Sequence, residues 1–202
     1  MKRLVLASAS PRRHALLAAL GLEFDVVTSG ASEIENGLPP EQLVVANARA
    51  KRDEVACRLA EPSLVIAADT LVFLGGQALN KPADLDEARA MLARLSGRTH
   101  AVITGLALAD TETGAVAQGF ERTDVTFRDL SEEEIAYFVD AVRPIDRAGA
   151  YTVDGPGCLL VASYSGCYPN VLGLPLVRLD LLMRELGWNL FERMDPARAN
   201  FL

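Results

Sequence analysis

Apolar runs of strand length alternate with helical patterns along this chain, and this alternation constrains its fold more than any other feature. The first apolar run, residues 4–7, leads into a helical pattern that begins at Pro11 and stops before Gly21. Ser10 suits the N-cap, Pro11 the first helical position and Gly21 the residue after the helix. The chain therefore begins with a strand that leads directly into the N-terminus of a helix.

The rest of the sequence continues the alternation. Strands are predicted at residues 24–29, 64–74 and 158–162, with an antiparallel hairpin between residues 99 and 128. Helices are predicted at residues 40–59 and 84–95, from the Ser131–Glu134 capping box to Val139, and from Pro175 to Gly187. Parallel and antiparallel pairings follow from this order, so we predict an α/β fold with a central mixed sheet flanked by helices. With 202 residues, we expect one domain over residues 1–202, built as two lobes around a cleft.

Composition and charge exclude several classes of protein. Half of the residues are apolar, but no apolar run approaches the length of a membrane span, and the apolar start is too short for a signal peptide. The net charge of -7 repels polyanions, so we expect neither a nucleic-acid nor a membrane partner, and any phosphate must be recognised locally. The three cysteines have no metal-binding spacing, which favours a cytoplasmic protein with reduced thiols.

Nucleophilic catalysis by a side chain has little support in the sequence. Cys167 is a conceivable nucleophile, but nothing near it in sequence would lower its pKa, so an incidental thiol is the favoured interpretation. His14 and His100 are the two histidines, which excludes a His-rich zinc site, and no G-x-S-x-G motif is present.

The start of the first helix has the composition of a phosphate site. Its free N–H groups favour anions, and Arg12 and Arg13 add guanidinium donors that match phosphate oxygens. Ser8 and Ser10 lie in the same turn. We interpret the segment as a phosphate-binding site, with a capped helix and solvated arginines as the alternative.

Asp69 is the second informative residue, because it interrupts the apolar run of residues 64–74. A buried carboxylate is costly unless it meets a metal, a cation or backbone donors, so its presence indicates a site. The alternative is an aspartate that caps a neighbouring loop. Glu33, Lys51 and Lys81, taken singly, are ordinary solvated residues. Together with Asp69 and the arginines they form a set suited to phosphoryl transfer: cations for a polyphosphate, and two carboxylates able to hold a divalent ion and activate water.

These motifs occur in the order found in a known family. The chain resembles the Maf family of nucleoside triphosphate pyrophosphatases over nearly its whole length. The matching segments are residues 8–13, Glu33, Lys51, residues 68–70, Lys81-Pro82, residues 96–100, Thr104-Gly105, residues 146–151 and residues 173–176. The resemblance implies a two-lobed α/β fold similar to that of inosine triphosphatases, often dimeric, and cleavage between the α- and β-phosphates of a nucleotide. We therefore expect a nucleoside triphosphate substrate and a homodimer.

The resemblance also implies roles for single residues. Asp69 would be the general base, and Glu33 would join it in holding Mg²⁺ or Mn²⁺. Lys51 and Lys81 would complete the catalytic set and, with Arg12 and Arg13, hold the triphosphate. Ser8 and Ser10 would donate hydrogen bonds at the helix start, and Tyr151 would border the base pocket.

Substrate choice follows from three positions that match one branch of the family and one that departs from it. Arg12, Thr70 and Tyr151 match the branch that is similar to dTTP/UTP pyrophosphatases. Asp154 stands where that branch has a glutamine. A glutamine both donates and accepts, whereas an ionised aspartate only accepts, so Asp154 leaves selectivity among pyrimidines open.

Two alternatives remain beside the pyrimidine pyrophosphatase. One is a regulatory module that binds nucleotides without hydrolysing them, although two carboxylates that repel a triphosphate argue against a pure binder. The other is a different enzyme, either a 7-methyl-GTP pyrophosphatase or a general phosphatase that releases orthophosphate.

Overall fold

The computed structural model describes residues 2–200, which contain one mixed sheet of seven strands. The strands are β1 (Arg3–Leu6), β2 (Asp25–Val26), β3 (Ser63–Leu74), β4 (Gln77–Leu79), β5 (Thr99–Asp110), β6 (Val116–Phe127) and β7 (Val161–Ser165). Their order is β2-β1-β3-β5-β6-β7, and β4 pairs with the end of β3. Strand β1 runs parallel to β2 and β3, and the other pairs are antiparallel. The predicted α/β fold with a mixed sheet is confirmed.

Helices lie between and after these strands. They are α1 (Pro11–Ala19), α2 (Pro40–Ala56), α3 (Leu85–Leu95), α4 (Glu132–Val142), α5 (Tyr168–Val171), α6 (Leu176–Glu185) and α7 (Leu190–Arg193). Ser131 and Glu134 form the predicted capping box at the start of α4. No helix within residues 2–200 is both long and apolar enough to cross a membrane.

Two elements differ from the prediction. Strand β2 spans two residues, although residues 24–29 have a strand pattern. In the last quarter of the chain, Gly155–Leu160 forms a 3₁₀ helix, and the strand expected at residues 158–162 begins only at Val161. The start of β7 is decided by its pairing with β6, where Val161 lies opposite Phe127, and the local sequence does not encode that register.

The long strands β3 and β5 pass through two hydrophobic clusters. Ile66 and Leu106 belong to the cluster that contains β1, α1 and α6. Val72 and Val102 belong to the cluster that contains α3 and α4. Asp69 lies between these residues along β3, but alternation along the strand places its side chain on the opposite face of the sheet, the face of Val65 and Ala67 on which α2 packs.

Helix α2 packs directly on the middle of the sheet. Asp69 pairs with Gly105 on β5, and a Cβ atom at Gly105 would lie 2.3 Å from the backbone of Val44 in α2. The absence of a side chain at Gly105 therefore permits this close approach. As a result, the residues one and two turns further along α2, Asn47 and Lys51, reach the carboxylate of Asp69.

The segment after α6 packs on the protein. Trp188 and Leu190 are buried in the cluster with α1. The backbone N–H of Asn200 donates to the carbonyl of Ala19, 3.1 Å away. This segment therefore covers the C-terminal end of α1.

Candidate active site

The buried carboxylate of Asp69 has a lysine as its ionic partner. The Nζ atom of Lys51 lies 2.6 Å from Oδ1 of Asp69 and 2.6 Å from Oε1 of Glu33. The Asp69 side chain is 6% exposed, whereas that of Glu33 is 52% exposed. One ammonium group thus joins a buried carboxylate on β3 to an exposed carboxylate in the loop before α2.

Asn47 also contacts this group, and the sequence analysis did not identify it. It is buried, and its Nδ2 atom donates to Oδ2 of Asp69 at 3.1 Å. The same amide accepts a hydrogen bond from the backbone N–H of Ile34, next to Glu33, and donates one to the carbonyl of Ile34. A polar amide on the buried side of α2, between Val44 and Ala48, is the sequence signal that could have revealed it.

Arg13 connects three distant segments of the chain. Its Nε atom donates to the carbonyl of Gly173 at 2.8 Å, one Nη atom to Oγ of Ser8 at 3.1 Å, and the other to Oγ1 of Thr70 at 2.9 Å. Burial lowers the pKa of the Arg13 guanidinium, and the charge of Asp69 opposes that change. Three of its five donors are therefore used within the protein.

The start of α1 is organised as predicted, with one difference. Ser10 occupies the N-cap and Pro11 the first helical turn, but the Ser10 side chain forms no capping hydrogen bond. Instead, the N–H of Ser10 donates to Oγ of Ser8 at 3.2 Å. The first turn of α1 therefore keeps N–H groups available for a ligand.

Arg12 and Arg147 supply positive charge to the same cavity. Arg12 forms no ion pair with any residue in the range 2–200. Burial lowers the pKa of its guanidinium, and the nearby charge of Arg147 lowers that pKa further, while Asp154 and Asp146 act in the opposite direction. Arg147 was part of a matching motif but had no predicted role.

A cavity of about 620 Å³ brings the predicted residues together. Its lining contains every predicted site residue except Asp154: Ser8, Ser10, Arg12, Arg13, Glu33, Lys51, Asp69, Thr70, Lys81 and Tyr151. Asp154 is exposed, and its carboxylate accepts a hydrogen bond from the hydroxyl of Thr152, which does line the cavity. The cavity combines cations from several elements with the Asp69–Lys51–Glu33 group.

Tyr151 borders the cavity, but its hydroxyl is engaged in the core. The hydroxyl lies 2.8 Å from Nε2 of His100, and both rings pack edge-on against Phe127. Burial raises the pKa of Tyr151 and lowers that of His100 from 6.5 to about 4. Both groups are therefore neutral near pH 7 and hold the Tyr151 ring in place.

The donor set suits a divalent ion only in combination with phosphate oxygens. In the part of the chain that the structure describes, no cluster of three or more His, Cys, Asp or Glu side chains could hold a metal. Glu33 and Asp69 nevertheless offer two hard oxygen ligands that already share the positive charge of Lys51. Mg²⁺ is commonly bound by one or two carboxylates plus substrate phosphates, so these residues fit such an ion.

The cysteines take no part in this arrangement. Cys57, Cys158 and Cys167 are all free thiols, as expected. Burial raises the pKa of Cys167, which disfavours the nucleophilic thiolate. This agrees with the interpretation of Cys167 as an incidental thiol.

Comparison with known proteins identifies the family. A family model described as "Maf-like protein" matches residues 3–186. The chain belongs to the Maf family. The family assignment made from the ordered motifs is therefore confirmed.

Three curated Maf relatives carry the name dTTP/UTP pyrophosphatase. The protein of Moorella thermoacetica is 46% identical over 195 residues, which are 96% of this chain and 100% of the relative. That of Pelotomaculum thermopropionicum is 44% identical over 190 residues, 94% and 99% of the two chains. That of Caldicellulosiruptor bescii is 42% identical over 196 residues, 95% and 98% of the two chains. This name corresponds to the branch indicated by Arg12, Thr70 and Tyr151.

One solved structure has a distant likeness to this chain. A HAM1 protein from Coxiella burnetii is 20% identical and has a TM-score of 0.44, with 63% of this chain and 73% of that chain covered. At this distance the likeness bears on neither the site nor the activity.

Proposed function

We propose that this chain is a nucleoside triphosphate pyrophosphatase that hydrolyses the bond between the α- and β-phosphates of dTTP and UTP. The single observation that carries the proposal is the buried Asp69 carboxylate, paired with Lys51 and open to a cavity lined by cations. The names of the curated relatives support the nucleotide class.

In the proposed reaction, Asp69 accepts a proton from the attacking water. The water oxygen forms a bond to the α-phosphorus, and the bond from that phosphorus to the oxygen bridging to the β-phosphate breaks. The products are the nucleoside monophosphate and pyrophosphate. The ammonium of Lys51 lies 2.6 Å from Oδ1 of Asp69 and would hold the carboxylate in position for this step.

The cations of the cavity would bind the polyphosphate. Arg12, Lys81 and Arg147 line the cavity, and the N–H groups at the start of α1 add neutral donors. Their charge would stabilise the negative charge that develops on the leaving pyrophosphate. Glu33 and Asp69 would hold Mg²⁺ or Mn²⁺, which when bound supplies further neutralisation of phosphate charge. We also propose that the protein is cytoplasmic. We further propose that it forms a homodimer, which light scattering would test.

The test is a nucleotide panel of dTTP, UTP, CTP and 7-methyl-GTP with Mg²⁺ or Mn²⁺, scored for pyrophosphate and orthophosphate separately. We expect pyrophosphate release, fastest with dTTP and UTP. Orthophosphate release would indicate a general phosphatase, and binding without turnover would indicate a regulatory module. A clear preference for 7-methyl-GTP would contradict the proposed substrate.

The Asp69→Asn variant tests the assigned base. We expect turnover to fall by about 10²- to 10⁴-fold while binding of a non-hydrolysable dTTP analogue persists, because the amide keeps the shape but cannot accept the proton. The control is Asp86→Asn, an exposed aspartate whose partner is Arg89 on the same helix. Retention of more than about a tenth of the wild-type rate would contradict the role of Asp69.

A further inference from the structure

Asn47 occupies a position between the two carboxylates of the site. Its amide is 2% exposed and lies on the sheet-facing side of α2, one turn before Lys51. Its Oδ1 atom accepts the backbone N–H of Ile34 at 2.8 Å, and its Nδ2 atom donates to the carbonyl of Ile34 at 3.0 Å. The second Nδ2 hydrogen goes to Oδ2 of Asp69 at 3.1 Å. The hydrogen-bonding groups of the amide are thus divided between the loop and the catalytic strand.

The loop that Asn47 holds has little packing of its own. Residues 32–39 are exposed, and no helix or strand occurs between β2 and α2. Glu33 precedes Ile34 in this loop and reaches Lys51 from it. Because an exposed loop has many conformations, the position of Glu33 depends on the few contacts that fix its backbone. The Asn47 amide provides two of these contacts at the adjacent residue.

We infer that Asn47 is a positioning residue that couples the Glu33 loop to Asp69, so that the two carboxylates are held together by one buried amide. This inference rests on the proposed function, in which Glu33 and Asp69 act as a pair. Lys51 attracts both carboxylates, but an ammonium tolerates many geometries. Asn47 fixes the orientation of the loop that carries Glu33, because its amide forms two hydrogen bonds with the backbone of Ile34.

A double-mutant cycle tests the inference. Asn47→Leu removes the three hydrogen bonds and replaces the amide with an apolar side chain of similar size on the buried face. We expect kcat/KM for dTTP to fall by about 10- to 150-fold, the range for loss of hydrogen bonds to a charged group. In the Glu33→Gln background the same change should cost several-fold less, because Asn47 then has no Glu33 carboxylate to position and only its hydrogen bond to Asp69 is lost. Gln42→Leu, an exposed change on the same helix, is the control and should leave both backgrounds unchanged.

A second measurement does not depend on turnover. Amide hydrogen exchange at Ile34 should be faster in Asn47→Leu than in the wild type, while exchange in β3 and β5 stays slow.

The outcomes separate the inference from the proposed function. If the wild type hydrolyses dTTP but Asn47→Leu costs the same factor with and without Glu33, the inference is wrong and the function stands. Unchanged exchange at Ile34 in Asn47→Leu would also overturn it. A wild type without activity would contradict the proposed function, and the exchange experiment would still decide whether Asn47 holds the loop.

Discussion

At the scale of single residues, the site depends on where a few charged groups find partners. Lys51 contacts both carboxylates, whereas Arg12 contacts none among residues 2–200. A charge that is paired within the protein serves to position its partner, and a charge without a partner is available to a ligand. We therefore propose different roles for Lys51 and Arg12, whereas the family resemblance implies that both hold the triphosphate.

Asp154 is the residue at which substrate preference is open to test. The Thr152 hydroxyl donates to its carboxylate, and Thr152 and Val153 line the cavity. We predict that Asp154→Gln raises the kcat/KM values of dTTP and UTP relative to CTP by about 5- to 150-fold, because a glutamine both donates and accepts and an unpaired polar group costs about 1 to 3 kcal/mol. Side-by-side kinetics on the three nucleotides measure this ratio. Ratios that agree with the wild type within about threefold would show that Asp154 does not set base preference.

At the scale of secondary-structure elements, strand ends and turns are joined by buried polar contacts. His100 at the start of β5 bonds Tyr151, which follows a 3₁₀ turn, and both pack on Phe127 at the end of β6. The Nδ1 atom of His100 is buried and has no partner in the described structure. A proton on His100 would therefore introduce an uncompensated charge into this cluster.

The stability of this cluster should depend on pH. Burial lowers the pKa of His100 from 6.5 to about 4, so between these values the unfolded chain binds a proton that the folded chain does not. Stability conferred by the neutral ring is therefore present above pH 6.5 and is lost as the pH falls towards 4. We predict that the wild type loses on the order of 2 kcal/mol more than His100→Gln between pH 7 and pH 4.5, measured by urea unfolding. Equal losses in both proteins would contradict this assignment.

At the scale of the whole molecule, the site lies at the middle of β3, where the strand passes from one of the two largest hydrophobic clusters to the other. Arg13 links the turn after β1, the middle of β3 and the loop before α6, through Ser8, Thr70 and Gly173. These segments are far apart in sequence, and each contributes to the cavity wall. The guanidinium of Arg13 therefore contributes to the shape of the cavity as well as to its charge.

This role predicts a difference between adjacent arginines. Arg13→Lys should lower the free energy of unfolding by about 2 kcal/mol or more, because a single ammonium cannot replace the planar fork that reaches three acceptors. Arg12→Lys is the matched control and should change it by less than about 0.5 kcal/mol, as expected for a residue without internal partners. Denaturant unfolding of the two variants measures the difference. Equal destabilisation would show that Arg13 does not hold the three segments.

Elements that depend on neighbouring residues could be predicted from the sequence. The start of α1 at Pro11 and the capping box at Ser131 rest on contacts a few residues apart, and so does the turn that joins β5 to β6; all three were predicted. The ordered motifs also identified the family, and every site residue that they predicted, except Asp154, lines the cavity.

Which groups come into contact depends on tertiary packing, and the sequence did not predict it. Lys51 is 18 residues from Asp69, Asn47 is 13 from Ile34, and Arg13 is 160 from Gly173. Such contacts depend on strand order, on the close approach of α2 at Gly105 and on the register of β7, none of which has a local signal. Local propensity acts within a few residues, whereas the partners of buried charges depend on packing across the whole chain. For this reason the sequence predicted the local elements but not the contacts between distant residues.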